Sequence, residues 1–387
     1  MRRLKEIPIF SSPFRILFLL TTISAFLMPA LWISFFTGKT VYSGTTINAL
    51  NWHIYEMIFG FGGSLLAGFL LTSSSNWAGI KPYAGIHLVL MTLLWLLERV
   101  LILIPNVNPY LVVVIGSLFT AYFLVLLVLQ LRNNSKNRKV FVPLIFIFLI
   151  TKVLFLVASL TNEIHLIQIT RQVALDVIRL IIVLITGRII PFFMRKKIAN
   201  LQITMPIYLE KVSWYSVIIV QLLAYFFSQQ MWISYLWLVV FTIHLMRQLY
   251  WKPWKCITKP MLWILHVAYL FLVLSFLQEG LKYYIPILQR TALHTFTAGA
   301  IGIFAIGMIA RVSLGHTGRD IKANWFIVVI FISILIGATL RVLVPIVWPN
   351  WYISSLHYSS GFWTFAFMLT LIKFTPVWFK PRPDAKN

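Results

Sequence analysis

The chain has 387 residues, of which 60% are hydrophobic and only 11% are charged. Its mean hydropathy is +0.88, and this composition excludes a soluble globular protein and predicts an integral membrane protein. The net charge of +24 is dispersed over many short segments, which favours contact with an anionic lipid bilayer and argues against a nucleic-acid partner.

Apolar runs of about 20 residues, long enough to cross a bilayer as helices, recur along the whole chain. They predict an all-α polytopic membrane protein with about twelve transmembrane helices in a single domain, residues 1–387, and no soluble domain. We expect the first helix to stay in the mature protein, because it is too long for the apolar region of a signal peptide. The predicted spans are 15–36, 51–73, 83–104, 108–131, 140–160, 168–191, 213–229, 231–249, 260–281, 290–312, 324–346 and 354–376.

Lysine and arginine indicate the orientation of these helices, because basic residues concentrate in cytoplasmic loops. With twelve spans and a cytoplasmic N-terminus, the basic clusters fall on the cytoplasmic side, and the opposite loops hold few basic residues, chiefly Lys39 and Lys282. Both termini are therefore predicted to be cytoplasmic. The clusters are Arg132/Lys136/Arg138/Lys139, Arg195/Lys196/Lys197, Lys252/Lys255/Lys259, Arg319/Lys322 and Lys380/Arg382/Lys386.

The second predicted span opens with the motif WHIYEM, which places His53 and Glu56 three residues apart on one helical face. Ionisable groups cost a few kcal/mol each inside a bilayer and by default mark a cofactor, an ion or proton path, or a substrate site. Glu56 has no basic residue beside it in the sequence, so we expect it to orient His53 or to carry protons. It is the candidate catalytic residue. Five other charged residues fall within or near spans and need a partner or a wet cavity: Glu98, Arg99, Asp176, Arg179 and Arg341.

Cys256 is the only cysteine, which excludes an internal disulfide and an iron–sulfur cluster, so any metal must be held by other ligands. Histidine is the obvious candidate, and the chain has eight. The predicted metal and cofactor ligands are His53 and His294 near the outer face and His266 and His316 toward the cytoplasm. The other four lie near loops and are expected to be hydrogen-bonded or interfacial side chains: His87, His165, His244 and His357.

Small residues recur at four-residue spacing below the two outer histidines. Gly60, Ser64 and Gly68 follow His53, while Ala298 and Gly302 follow His294. Small side chains let another helix, or a flat macrocycle, approach closely. The conjunction of such a stripe with a histidine in two separate helices favours a ligand site over helix packing alone.

Arg188 and Arg311 are predicted to end their helices at the cytoplasmic side. Each could be an anchor whose charge reaches toward the lipid headgroups. Each could also be a cofactor-binding residue that pairs with a propionate of a bound haem. The sequence leaves both interpretations open.

Several blocks resemble the signature blocks of the NnrS family, in the same order and over nearly the whole chain. These blocks are residues 52–61, 67–72, 76–79, 187–193, 293–302 and 311–319. The resemblance implies a bacterial inner-membrane protein that contains haem and copper and belongs to the response to nitric oxide, often beside denitrification functions. We therefore expect haem b and copper as cofactors. Where the family has a second histidine in its His-x-His-Glu-Met block, this chain has Tyr55, which could ligate a cofactor, donate a hydrogen bond or belong to an interfacial aromatic belt.

The leading hypothesis is a haem- and copper-binding membrane protein that binds, senses or removes nitric oxide and so relieves nitrosative stress. Nitric oxide partitions into lipid and binds open coordination positions on haem iron and copper, so the bilayer acts as its reservoir. One alternative is a twelve-helix secondary transporter, although the sequence shows no convincing half-to-half repeat. The other is a nitric oxide reductase fed by quinol or a redox partner, although the adjacent histidine pair of haem–copper oxidases is absent.

Overall fold

The computed structural model of this chain describes residues 2–42 and 46–383, and all regular secondary structure in these ranges is helical. A long helix covers each of the twelve predicted spans, which confirms the all-α polytopic fold. The helices are α1 Pro13–Phe36, α2 Ala49–Ala78, α3 Ile86–Leu103, α4 Pro109–Gln130, α5 Ser135–Thr161, α6 Ile164–Lys197, α7 Ile207–Phe227, α8 Met231–Tyr250, α9 Pro260–Leu281, α10 Leu288–Gly315, α11 Trp325–Val347 and α12 Tyr352–Phe379.

Within the described ranges, ten of these helices are long and apolar enough to cross a membrane by length and composition. They are all except α6 and α8, which carry charged side chains such as Arg179 and Arg188 in α6 and Arg247 in α8. The chain is thus a multi-pass membrane protein. Lys386, assigned above to the last basic cluster, lies outside the described residues.

The helix ends follow local sequence signals. Pro13 and Pro260 stand at the start of α1 and α9, where a missing backbone N–H costs no hydrogen bond. The Asn48 side chain caps α2 by accepting a hydrogen bond from the backbone N–H of Asn51. Gly79 ends α2 in the left-handed region at φ 65°, a conformation that glycine adopts without steric cost.

Arg188 and Arg311 do not end their helices, so that prediction is wrong. Helix α6 continues to Lys197 with Pro191 inside it, and α10 continues to Gly315. A proline removes one backbone hydrogen bond but does not have to end a spanning helix, because neighbouring groups can satisfy the carbonyl that it frees.

The chain folds into two compact units. The first contains Met1–Ile178, Val312–Arg319 and Leu371–Asn387, and the second contains Arg179–Arg311 and Asp320–Thr370. Each unit has a spanning helix that is interrupted by a seven-residue π-helical segment, Glu56–Gly62 in α2 and Thr295–Ile301 in α10. Such segments are rare overall, and those that occur lie frequently at functional sites. The side chains around each π segment are therefore candidates for a functional site.

Candidate functional site

In the first unit, four buried charged side chains surround the π segment. Arg99 from α3 lies with Nε 3.3 Å from Oε2 of Glu56 and with Nη1 3.1 Å from Oε2 of Glu98. Lys152 from α5 places Nζ 2.6 Å from Oε1 of Glu98. Glu56, Glu98 and Lys152 are fully buried. We call these four residues the charge network; its two carboxylates and two cations balance.

Tyr55 belongs to the same network. Its side chain is fully buried, and its hydroxyl donates a hydrogen bond to Oε1 of Glu98. Nζ of Lys152 lies 5.4 Å from the centre of the Tyr55 ring and donates to the Thr120 hydroxyl at 3.3 Å. Tyr55 is therefore not a residue of an interfacial aromatic belt; it is a hydrogen-bond donor inside the membrane-spanning core.

Gly60, inside the π segment, leaves the space that the charge network occupies. A Cβ at this position would lie 2.5 Å from Oε2 of Glu56 and 2.6 Å from Nη2 of Arg99. The Gly60 carbonyl accepts a hydrogen bond from Nε1 of Trp95 at 3.3 Å. The guanidinium carbon of Arg99 lies 4.2 Å from the centre of the Trp95 ring. The stripe of small residues in α2 therefore accommodates charged side chains at this point.

His53 lies beside α1, where its ring stacks on Trp32 with the ring centres 4.5 Å apart and the planes 14° apart. Glu56, one turn further on, is paired with Arg99 from α3. The negative charge of this carboxylate also acts on Tyr42, in the loop before α2. Burial, together with the negative charge of Glu56, raises the pKa of Tyr42 to about 12.

In the second unit, His266 is 4% exposed, and neither ring nitrogen has a hydrogen-bond partner. Arg311 is 3% exposed; its Nη1 donates to the Met261 carbonyl at 2.9 Å, and its guanidinium lies 3.6 Å from the centre of the Phe193 ring. Met261 is five residues before His266 on α9, about 7.5 Å along the helix axis. The buried Arg311 guanidinium thus contacts the same helix, α9, that carries the buried His266 imidazole.

Two further buried side chains accompany His266. Nε2 of Gln248 donates to the His266 carbonyl at 2.9 Å, and the Trp251 ring lies 6.3 Å from the His266 ring. Oε1 of Gln248, Nε1 of Trp251 and Nε of Arg311 have no hydrogen-bond partner. We call His266, Gln248, Trp251 and Arg311 the His266 cluster. Buried polar atoms normally have partners, so this concentration of unsatisfied atoms indicates a place for a ligand.

The other predicted ligands have different surroundings. In the second unit, Nε2 of His294 lies 3.0 Å from Nη2 of Arg341. His316 follows α10 and belongs to the first unit, where its ring lies 5.7 Å from the Phe14 ring. Among the residues that the structure describes, no group of three or more His, Cys, Asp or Glu side chains could hold a metal ion. The assignment of metals to these four histidines stays a prediction.

Two of the remaining histidines are hydrogen-bonded in the fold. In His244, Nδ1 pairs with the Tyr269 hydroxyl at 2.6 Å, and Nε2 pairs with the Ser213 carbonyl at 2.8 Å. Nδ1 of His87 lies 2.7 Å from the Tyr122 hydroxyl. These contacts agree with the structural role expected of both residues. Arg188 is exposed and stands five residues before Phe193, whose ring contacts the Arg311 guanidinium.

Sequence reasoning missed Lys152, Gln248 and Trp251. Lys152 did carry a signal, because it is a single lysine inside the apolar run 140–160, and such a residue needs a partner. Gln248 and Trp251 stand near the end of α8 with no distinguishing motif. Their part in the His266 cluster depends on the packing of α8 against α9.

The helices and the buried polar clusters together define a polytopic α-helical membrane protein with candidate ligand and proton sites inside its spanning segments. The sequence profile described as NnrS protein matches residues 8–382 of this chain, and the chain belongs to the NnrS family. No curated protein matches it in sequence. Membership supports, at the level of the family, a role in the response to nitric oxide.

Proposed function

We propose that this protein is a haem- and copper-binding protein of the bacterial inner membrane that binds, senses or removes nitric oxide and so relieves nitrosative stress. The observation that carries the proposal is the His266 cluster. It offers an imidazole with both nitrogens unbonded in a nearly dry environment, in a chain whose family acts in the nitric oxide response.

The residues of the His266 cluster fit haem b. His266 would hold the haem iron through a ring nitrogen, and its low exposure keeps water away from the imidazole. Arg311 would pair with a propionate, because its charge is buried and its Nε is unbonded. The bound haem would supply an iron with a coordination position open to nitric oxide. Arg188 is the weaker propionate candidate, since its side chain is exposed.

The described residues fit copper less well than haem. A closed site of three protein ligands is not formed by their His, Cys, Asp and Glu side chains, so we derive no step through copper. His53, His294 and His316 remain its candidate ligands. Tyr55 is not proposed as a ligand, because its hydroxyl is bonded to Glu98.

If nitric oxide is reduced, as in a nitric oxide reductase, the reaction needs protons and electrons. Glu56 is the proposed proton carrier, because it is a fully buried carboxylate at the start of the π segment, where it is paired with Arg99. Electrons would come from quinol or a redox partner protein.

The test is a reduced-minus-oxidised visible spectrum of the purified protein, with iron and copper analysis on the same sample and a repeat after addition of nitric oxide. We expect a b-type haem band that shifts with nitric oxide. A colourless, metal-free protein from cells supplied with haem precursor and copper would contradict the proposal. It would favour a secondary transporter, since interrupted spanning helices in two units are also a feature of transporters.

A further inference from the structure

The two interrupted helices are divided in the same way. A seven-residue α-helix precedes each π segment, Ala49–Tyr55 in α2 and Leu288–His294 in α10. Each π segment then has seven residues and leads directly into a longer α-helix that begins with glycine. Residue 49 therefore aligns with residue 288, and every following position of α2 has a counterpart in α10.

Glycines occupy the same places in this alignment. The pairs are Gly60/Gly299, Gly63/Gly302, Gly68/Gly307 and Gly79/Gly318. The last pair is the most informative, because both members have left-handed backbone, with φ 65° and 69°. The next helix starts seven residues after this glycine in each case, at Ile86 in α3 and Trp325 in α11.

The preceding helices match as well. A Cβ at Gly68 would lie 2.9 Å from Phe18 and 3.1 Å from Leu17. A Cβ at Gly307 would lie 3.1 Å from Leu265 and 3.2 Å from Ile264. Leu17 and Phe18 are the fifth and sixth residues of α1, and Ile264 and Leu265 are the fifth and sixth of α9. Residues 13–103 and 260–347 are therefore two copies of one three-helix arrangement. The sequence alone shows no convincing half-to-half repeat, and this correspondence covers three helices in each half.

The copies differ in charge at equivalent places. Tyr55 aligns with His294, and each contacts a charged residue of the following helix, Glu98 for Tyr55 and Arg341 for His294. The first copy holds two carboxylates, Glu56 and Glu98, beside Arg99. In the second copy, the positions aligned with Glu98 and Arg99 are glycine and alanine. The second copy therefore lacks the carboxylate that the first copy carries.

Among the residues that the structure describes, none is seen to form an ion pair with Arg341. It lies six residues before the end of α11, about 9 Å along the helix axis. Its side chain contacts His294 and Tyr352; it is hydrogen-bonded to both side chains, and the centre of the Tyr352 ring lies 5.9 Å from the guanidinium carbon. The acidic residues of the second unit pair with other cations: Glu210 with Arg247, Glu279 with Lys282 and Asp320 with Lys322. A guanidinium without a neutralising carboxylate is costly in a spanning helix, and such a residue is by default a candidate for a ligand site.

We propose that Arg341, positioned by His294, binds a planar monoanion of the carboxylate or nitrite class, which takes the place of the carboxylate that the first copy carries as Glu98. The guanidinium fork matches two oxygens of such an anion. His294 accepts one guanidinium N–H through Nε2, which holds the fork in orientation. The anion is either free or a haem propionate. Only the second source rests on the proposed function.

The experiment is calorimetric titration of the purified full chain with sodium formate and, separately, sodium nitrite. Two preparations are compared, one from haem-replete cells and one from haem-deficient cells. We expect Arg341→Gln to weaken binding at least tenfold, because it removes a charge-assisted pair of hydrogen bonds. Arg290→Gln is the matched control: it removes an exposed arginine from the start of the same α10, and we expect less than a twofold change.

Each outcome decides the proposal. Binding to both preparations that Arg341→Gln weakens supports a free anion. Binding only to the haem-deficient preparation, together with lower haem content in Arg341→Gln, supports a propionate. Absence of binding in both, or equal effects of the two substitutions, overturns the proposal and leaves Arg341 as a snorkelling cation. Should Arg341→Gln fail to fold, Arg341→Lys keeps the charge without the fork, and binding must still weaken. A haem-free protein that binds formate through Arg341 would contradict the proposed function but not this site.

Discussion

The two copies of the repeat carry similar helices but treat buried charge in opposite ways. In the first, Glu56, Glu98 and Arg99 pair around the π segment, together with Lys152 from the neighbouring α5. In the second, His266 and Arg311 belong to the His266 cluster, together with Gln248 and Trp251 from the end of α8, and each of these four side chains has a buried atom without a hydrogen-bond partner. The charge network also has buried atoms without a hydrogen bond, but its opposite charges lie 2.6–3.3 Å apart and neutralise one another, whereas the His266 cluster contains no carboxylate. The comparison therefore favours the proposed ligand site at the His266 cluster, and internal stabilisation with a candidate proton site in the charge network.

The largest expected effect comes from substitution of His266, which is the seventh residue of α9. We expect His266→Ala to remove nearly all haem from the purified protein, because His266 is the one side chain of the His266 cluster that can ligate iron. Leu19→Ala is the matched control, because Leu19 is the seventh residue of α1 and so the equivalent position in the first copy. Haem content per chain, measured by the pyridine haemochrome spectrum, checks both variants. If His266→Ala retained its haem, the haem would have to be bound by other residues.

The stability of the protein should depend on the balance of charges in the charge network. Lys152→Met leaves Glu98 buried without its nearest cation, and we expect a loss of about 3–5 kcal/mol in the free energy of unfolding, as for other broken buried ion pairs. The double variant Lys152→Met/Glu98→Gln removes the stranded charge and should recover part of that loss. Unfolding in detergent, followed by circular dichroism, provides the measurement. If the single variant is as stable as the original, the network is not a stabilising one.

Aligned glycines should tolerate a methyl group differently. A Cβ at Gly302 would overlap the Trp363 ring, whereas a Cβ at Gly63 would meet Phe148 at 3.8 Å, an ordinary contact. We expect Gly302→Ala to destabilise the protein by about 1–3 kcal/mol through overpacking. Gly63→Ala should be neutral or stabilising by up to about 1 kcal/mol, since alanine favours helix. The same unfolding experiment compares the pair, and equal effects would contradict the difference in packing.

The sequence predicted the helices well and the sites only in part. Apolar run length is local information, so a long helix covers each predicted span. Glu56 and His266 were recognisable because ionisable residues inside apolar runs are costly. The pairing of Glu98 with Lys152 was not, because it joins α3 to α5 through tertiary packing. The repeat was hidden because the copies share backbone geometry and glycines but few other side chains, and Tyr55 and His294 occupy one equivalent position.

The smallest expected effect uses Cys256, the only cysteine, which reports on the second unit alone. Its side chain is buried, and Sγ lies 3.0 Å from the Pro253 carbonyl. Burial raises the pKa of the Cys256 thiol to about 11. A raised pKa keeps the thiol protonated to higher pH, and only the thiolate reacts. Maleimide labelling should therefore be slow at pH 7 and rise about tenfold per pH unit up to pH 10. Rapid labelling at pH 7 would show that this region opens. Faster labelling of His266→Ala than of the original chain would show that the haem proposed at His266, and not the helices alone, keeps the second unit closed.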